Sequence, residues 1–427
     1  MNLRQLHLNL LVVFALLAAS CGGADDIPGE LAFVDDEVTI TIWAWAGFGY
    51  ENLIDEFEAM HPNVSVELRE SGYDQHHEGL LAAIEAEGEL PDIAAVDAVY
   101  LPEFWDVGTG LVDLSSYDAQ DRSSLYLDWR WDQGVAPTGE IIGIPTDVGG
   151  LALAYRKDLF AQAGLPSEPE DVAAVLETWD DLIDLGMQYG SGGSDGAFLD
   201  SAASVFNTRF GQLPGGYVTT DGIANLAEGS PVEVAWAQSI DAINAGVTGS
   251  FRQFSPEWNT AMAEGGFAAL AAPSWMRGYL AANAPDNAGD WGLVALPEIA
   301  GNWGGSQLVI PGRATNPDLA WELVEFLTSE SAQFSVFTDF GNFPSTPANY
   351  TRPEIDGLTD AFFGDQVVGP IFAESVSQVP VKRLNPGMRL MNNQIVDRLL
   401  DYELGDVTER EAWDGIIDEL QELDGSG

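Results

Sequence analysis

Between residues 38 and 96 the spacing of apolar side chains switches between two periods, and this switching restricts the fold more than any other feature. Val38-Thr-Ile-Thr-Ile42 alternates apolar and polar, as a strand with one buried face does. A turn, Trp43-Ala-Trp45-Ala-Gly47, leads into a helical pattern with Leu53, Ile54, Phe57 and Met60 on one side. Val64, Val66 and Leu68 form a second alternating strand, and residues 80–87 a second helix stopped by Gly88. Residues 91–96 are nearly continuously apolar, as strands buried on both faces of a parallel sheet are. Strand and helix in turn imply an α/β fold with a largely parallel sheet. Ligands in such sheets sit beyond the carboxyl ends of strands. Trp45 and Asp97, each just past a strand end, therefore share one rim.

A second unit of the same kind begins near residue 145. Ile141-Ile-Gly-Ile-Pro145 and Leu151-Ala-Leu-Ala-Tyr155 flank the turn at 146–150, and a helix over 157–163 ends at Gly164 with Pro166 beyond. Helical patterns follow at 179–189, 198–210 and 232–245, strands at 268–273 and 291–297, and a helix at 318–328. Two acidic amphipathic helices, near 388–402 and 408–423, close the chain. At 427 residues the length suits two or three domains of about 100–200 residues. Tandem repeats of solenoid length are absent from the sequence.

The first twenty residues read as a secretory signal: Arg4, an apolar run over 8–19, then Ala18-Ala19-Ser20 before Cys21. Leu17-Ala-Ala-Ser-Cys21 has the look of a lipobox, with Ala18 standing where Leu is usual, so Cys21 is the expected lipidation site. The polar run Gly22-Gly23-Ala24-Asp25-Asp26 reads as the start of a flexible tether over 21–36. Cys21 is also the only cysteine, so no disulfide forms within the chain. The 16 Lys and Arg face 68 Asp and Glu, a net charge of −52. A surface this negative repels phosphate backbones, which argues against nucleic acid, and suits an exported protein in salt.

Several chemistries fail on inventory. Gly192-Gly-Ser194-Asp-Gly196 matches the G-x-S-x-G pattern, but a hydrolase of that type needs a later histidine and none follows His77. Walker, dinucleotide and HExxH patterns are absent, one cysteine excludes thiolate clusters, and no cofactor or metal is expected. His76 and His77, neighbours about 100° apart on a helix, make a poor bidentate pair and read as a solvated helix start. Paired carboxylates of the glycosidase kind carry no information, because 68 acids supply pairs everywhere.

What the sequence does offer is tryptophan in turns. Trp45 precedes Ala46-Gly47, Trp275 follows Pro273-Ser274, and Trp303 precedes Gly304-Gly305. Flat rings match the apolar C–H faces of sugars, while Asp, Asn and Arg match the hydroxyls. Trp179 and Trp321, at helical spacing with Leu182 and Val324, read instead as core.

Four segments in order resemble the sugar-binding solute-binding proteins of bacterial ABC importers, the family that includes maltose-binding protein. They are the opening strand with Trp43-Ala-Trp45 and Phe57-Glu-Ala-Met-His-Pro62; Gly88-Glu-Leu-Pro-Asp-Ile93; Ile144-Pro145 through Ala163-Gly-Leu-Pro166 and Thr178-Trp-Asp-Asp-Leu182; and Gly265-Gly-Phe-Ala-Ala269 through Trp275 to Phe326-Leu327. The resemblance implies a class II periplasmic-binding-protein fold, two lobes each built on a mostly parallel sheet flanked by helices, joined by three hinge crossings. It places lobe one at 37–146 and 297–340, and lobe two at 147–296 and 341–427. It also implies a ligand site of Trp45, Asp97, Asp147, Trp275, Trp303 and Gly304, with Arg209 and Phe343 as further candidates. The expected molecule is a monomeric, lipid-anchored receptor on the outer or periplasmic side of the membrane. It would pass a carbohydrate to ABC permease subunits and would not be an enzyme. A polyamine or other cationic solute is the alternative within the class, and a surface glycoside hydrolase the alternative outside it. Pro273-Ser274-Trp275-Met276 has one aromatic where some sugar binders have two, which speaks against stacking along a long oligosaccharide.

Overall fold

The computed structural model describes residues 37–105, 110–193, 195–298 and 301–424, so the signal, Cys21, the whole tether and Ser194 lie outside the described residues. The strands used below are β1 (Val38–Trp45), β2 (Val64–Ser71), β3 (Ile93–Asp97), β4 (Ile144–Pro145), β5 (Asp147–Val148), β6 (Leu151–Arg156), β7 (Ala197–Leu199), β8 (Phe267–Pro273), β9 (Trp291–Val294), β10 (Ser306–Val309) and β11 (Phe343–Pro344). They form one sheet of order β2-β1-β3-β10-β4 and another of order β7-β8-β6-β9.

The period-two stretches pair as their pattern requires. β1 lies parallel to β2 over its whole length, from Val38 opposite Val64 to Trp45 opposite Ser71. That pairing carries the strand through Trp45, where a turn was expected. β3, apolar up to its closing Asp97, is buried throughout at the sheet centre. Leu53, Ile54 and Phe57 from helix Glu51–Met60 cover one face with Leu319, Leu323 and Leu327 from helix Pro317–Leu327. Leu80 and Ile84 cover the other. Around the second sheet, Phe160, Trp179, Leu182 and Tyr189 fill one face and Trp258, Met262, Met276 and Leu280 the other. Trp179 and Trp321 are both buried. The closing helices, Met388–Glu403 and Glu409–Asp424, pack with helices Ala202–Gln212 and Pro231–Asn244.

Each sheet is mostly parallel in direction, with one strand reversed. β10 runs antiparallel to both its neighbours in the first sheet, and β6 does so in the second. Both reversed strands are the first the chain lays down after passing from one sheet to the other. A strand entered from the side where its neighbours end has to run against them. Ser306 accordingly starts opposite Asp97, and Leu151 opposite Pro273. Between the sheets, β5 pairs with β11.

Two local readings change. Residues 198–210 are a short strand followed by a helix, because the Ser201 side chain accepts the Ser204 N–H and caps a helix starting at Ala202. His76 and His77 are buried rather than solvated. The helix begins earlier, at Tyr73, which turns both imidazoles inward: His76 Nε2 lies 2.6 Å from the Ala95 carbonyl, and His77 Nε2 accepts the Asp97 N–H at 3.0 Å. Among the described residues no His, Cys, Asp and Glu cluster suited to a metal occurs.

Candidate functional site

The reversed strands bring the ends of both sheets to one place, and there a cleft of about 1300 Å3 opens. Trp45 and Asp97 reach it from the ends of β1 and β3, Asp147 from β5, and Trp275 from just past β8; Trp303 and Gly304 reach it from the segment leading into β10. Six of the eight expected residues thus line one cavity. Phe343 does not: its ring is fully buried between Phe337 and Tyr350, because β11 closes a core rather than an edge. Arg209 does not line it either, and pairs instead with Glu298 at 2.7 Å.

On the first sheet's side, Trp45 is half-buried and meets Phe48 edge-on at 5.0 Å and His77 at 4.9 Å. The His77 ring stacks on Tyr100 at 4.0 Å, and burial pushes its pKa down to about 3. A neutral His77 is what lets Nε2 accept from the Asp97 backbone, so the buried imidazole fixes the strand end that carries the carboxylate. Asp97 Oδ1 accepts the Val99 N–H at 2.9 Å. Burial pushes the carboxyl pKa up to about 6, against the pull of the Val99 N–H, with Asp147 pushing the same way.

Asp147 Oδ1 accepts from Thr146 Oγ1 at 2.7 Å and from the Ser306 N–H at 2.8 Å, so one carboxylate joins the outgoing chain to the returning one. Behind it the fully buried Arg130 donates to the carbonyls of Asp147 and Ser306. Burial raises the Asp147 pKa, and Arg130 lowers it.

The second sheet contributes rings. Trp275 stands half-buried at the start of helix Met276–Asn283, and its Nε1–H donates to the Trp303 carbonyl at 3.3 Å. Phe254, which sequence reasoning passed over, lies nearly parallel to Trp275 at 6.2 Å and edge-on to Trp303 at 6.1 Å and Tyr279 at 5.6 Å. It is 44% exposed and has φ +63, a left-handed backbone that a phenylalanine adopts only at a cost. Its neighbours hold it there. Buried Asp200 accepts from Gln253 Nε2 at 2.8 Å and Trp258 Nε1 at 3.0 Å, on either side of Phe254. No periodicity marks the 247–255 loop; the one available signal was two phenylalanines, Phe251 and Phe254, just before the Ser255-Pro256 helix start.

Gly304, with φ +87, joins the two sides. A Cβ there would come 3.4 Å from Trp275 Nε1 and 3.9 Å from Asp97 Oδ2, so the site brings an indole and a carboxylate together over a bare backbone. Rings for C–H faces and anchored carboxylates for hydroxyls can grip a polyhydroxylated solute without bond-making chemistry.

The chain is 26% identical over 364 residues to a lactose-binding protein of Rhizobium radiobacter, covering 80% of this chain and 82% of that one. It is 22% identical over 394 residues to an arabinooligosaccharide-binding protein of Halalkalibacterium halodurans, with 85% and 83% covered. A crystal structure of an extracellular solute-binding protein of family 1 superposes with a TM-score of 0.82 at 29% identity, covering 91% of this chain and all of that one. The family model for the bacterial extracellular solute-binding protein matches residues 48–334, and the chain belongs to that family.

Proposed function

We propose that this chain captures a sugar or oligosaccharide in the cleft and hands it to an ABC permease, held at the cell surface by lipid on Cys21. The observation that carries the reading is the meeting, across Gly304, of the Trp275–Trp303–Phe254 ring group with Asp97. The carbohydrates named for the lactose- and arabinooligosaccharide-binding relatives support it. In this reading the lobes divide at crossings near Thr146, Pro297 and Gly341, giving lobe one 37–146 and 297–340 and lobe two 147–296 and 341–427. Trp45, Asp97, Asp147, Trp275, Trp303 and Gly304 contact the solute, joined by Phe254 and Tyr279. Closure of the lobes retains the ligand; no bond is made or broken.

Asp97 and Asp147 favour a polyamine as the second reading, since carboxylates in a cleft attract cations. Arg252, Lys382, Arg383 and Arg389 on the same walls oppose it. A thermal-shift screen over carbohydrates and polyamines decides. A ligand at a hundred times its Kd adds about 2.7 kcal/mol of apparent stability. Stabilisation by polyamines alone would replace the sugar reading, and stabilisation by neither class would end both.

A further inference from the structure

In a chain with 68 acids and 16 bases, a base facing a cavity would ordinarily have a carboxylate beside it. Two of the cleft's four bases do: Arg252 pairs with Asp397 at 2.7 Å and Arg389 with Glu103 at 3.6 Å. The other two, Lys382 and Arg383, have none within ion-pair distance among the described residues. Lys382 Nζ donates to the carbonyls of Phe210 and Leu213 and sits 4.1 Å from the Phe210 ring centre, which leaves one N–H unspent. Arg383 is exposed and gives one N–H to the Val218 carbonyl at 3.4 Å, which leaves four.

The pair is built in rather than dangling. The Arg383 N–H donates to the Gly215 carbonyl at 3.0 Å, and the Gly215 N–H to the Val381 carbonyl at 3.2 Å. A Cβ on Gly216 would fall 2.4 Å from the Arg383 carbonyl, so only glycine admits this approach. The patch is also continuous with the ring group. Phe210, whose carbonyl Lys382 holds, precedes Gly211, where a Cβ would come 3.1 Å from the carbonyl of Asn302, the residue before Trp303. Nearby, Asn392 Nδ2 bonds Asn207 and Tyr217, neutral groups suited to sugar hydroxyls.

We propose that Lys382 and Arg383 form an anion subsite at one end of the cleft, and that the solute is an oligosaccharide whose sugar unit there bears a carboxylate, a uronate or an aldonate. This rests on the sugar reading above and narrows it. A single negative charge fits because Lys382 is largely committed to carbonyls and burial pushes its pKa down to about 7, so the exposed Arg383 carries the charge and makes the paired contact that a carboxylate takes and a hydroxyl cannot.

Calorimetry on matched pairs tests it: cellobiose against cellobiouronate, galactobiose against digalacturonate, maltose against maltobionate. At least one acidic member should bind about tenfold or more tightly than its neutral partner, and this preference should weaken with added salt. Arg383→Gln should cut the acidic-to-neutral affinity ratio about tenfold, and Arg383→Lys should restore part of it. Neutral sugars binding as tightly as acidic ones, or a ratio unmoved by Arg383→Gln, would overturn the subsite while leaving the sugar reading in place. Galactose 6-sulfate and galactose 6-phosphate are titrated alongside, and tight binding of either with no carboxylate sugar bound would overturn the carboxylate assignment. Binding by no member of any pair would overturn the subsite, while the carbohydrate and polyamine screen decides the sugar reading on its own.

Discussion

Phe254 allows backbone strain and ligand contact to be measured at one position. Its φ of +63 costs an L-residue about 1–2 kcal/mol. Phe254→Ala removes the ring and keeps the strain; Phe254→Gly removes both, at the expense of about 0.5–1 kcal/mol of added freedom in the unfolded chain. The glycine variant should therefore be the more stable of the two by about 0.5–1 kcal/mol. One kcal/mol is about 2–4 °C in Tm for a unit of 150–250 residues. Both variants lose the same ring, which faces Trp275, Trp303, Tyr279 and Trp258 with centroids 5.4–6.2 Å away. If that exposed ring stacks on a sugar, each variant should bind about 1–3 kcal/mol more weakly, roughly 5- to 150-fold. Thermal unfolding of the unliganded protein reads the first effect, and calorimetry with the best ligand of the screen reads the second. Equal stability of the two variants would refute the strain argument. Wild-type affinity in both would remove Phe254 from the site.

Other outcomes follow from burial and from the crossings. Asp97 and Asp200 are raised to about 6 and Glu403 to about 7, each chiefly by burial, so the folded protein holds protons that the unfolded chain has already released. Stability should fall as pH rises from 5 to 7, by on the order of 1–2 kcal/mol per group, and Asp200→Asn should flatten the slope; a Tm that rises over this range would contradict the assignment. Small-angle scattering should show a smaller radius of gyration with bound ligand, and an unchanged radius for a tight binder would count against hinge closure. Cys21→Ala should release the protein from the membrane fraction of its host, because among the described residues no helix is long and apolar enough to cross a membrane; full retention would argue against the anchor.

What the sequence made legible was whatever depends on short-range pattern. The alternation over 38–42 and 64–68 and the apolar run before Asp97 specify strands by side-chain period alone, and the strand-end rule puts Trp45 and Asp97 on one rim, where both line the cleft. Trp275 and Trp303 were visible because glycine, proline and serine flank them. Phe343 was misread because two residues of strand carry no period, and its burial depends on Phe337 and Phe372 arriving from two helices. Phe254 was invisible because nothing in a phenylalanine announces a left-handed backbone; Asp200, more than fifty residues earlier, helps impose it. Lys382 and Arg383 gain meaning only when Gly215 and Gly216 dock against them, a long-range pairing that hydropathy cannot register.

The reversed strand in the first sheet also sets an order of assembly. β4 joins that sheet only through β10, so β3 and β4 have nothing to hold them side by side until Ser306–Val309 emerges. All four strands of the second sheet have by then left the exporting channel, from Leu151 to Val294. The unit nearer the middle of the chain can therefore finish first, while the N-terminal strands wait with an unpaired edge for their last partner. During that interval β3, apolar from Ile93 to Val96, carries an edge open to wrong pairing. A destabilising change in β10 would show itself as aggregation during secretion before it showed itself as weaker binding.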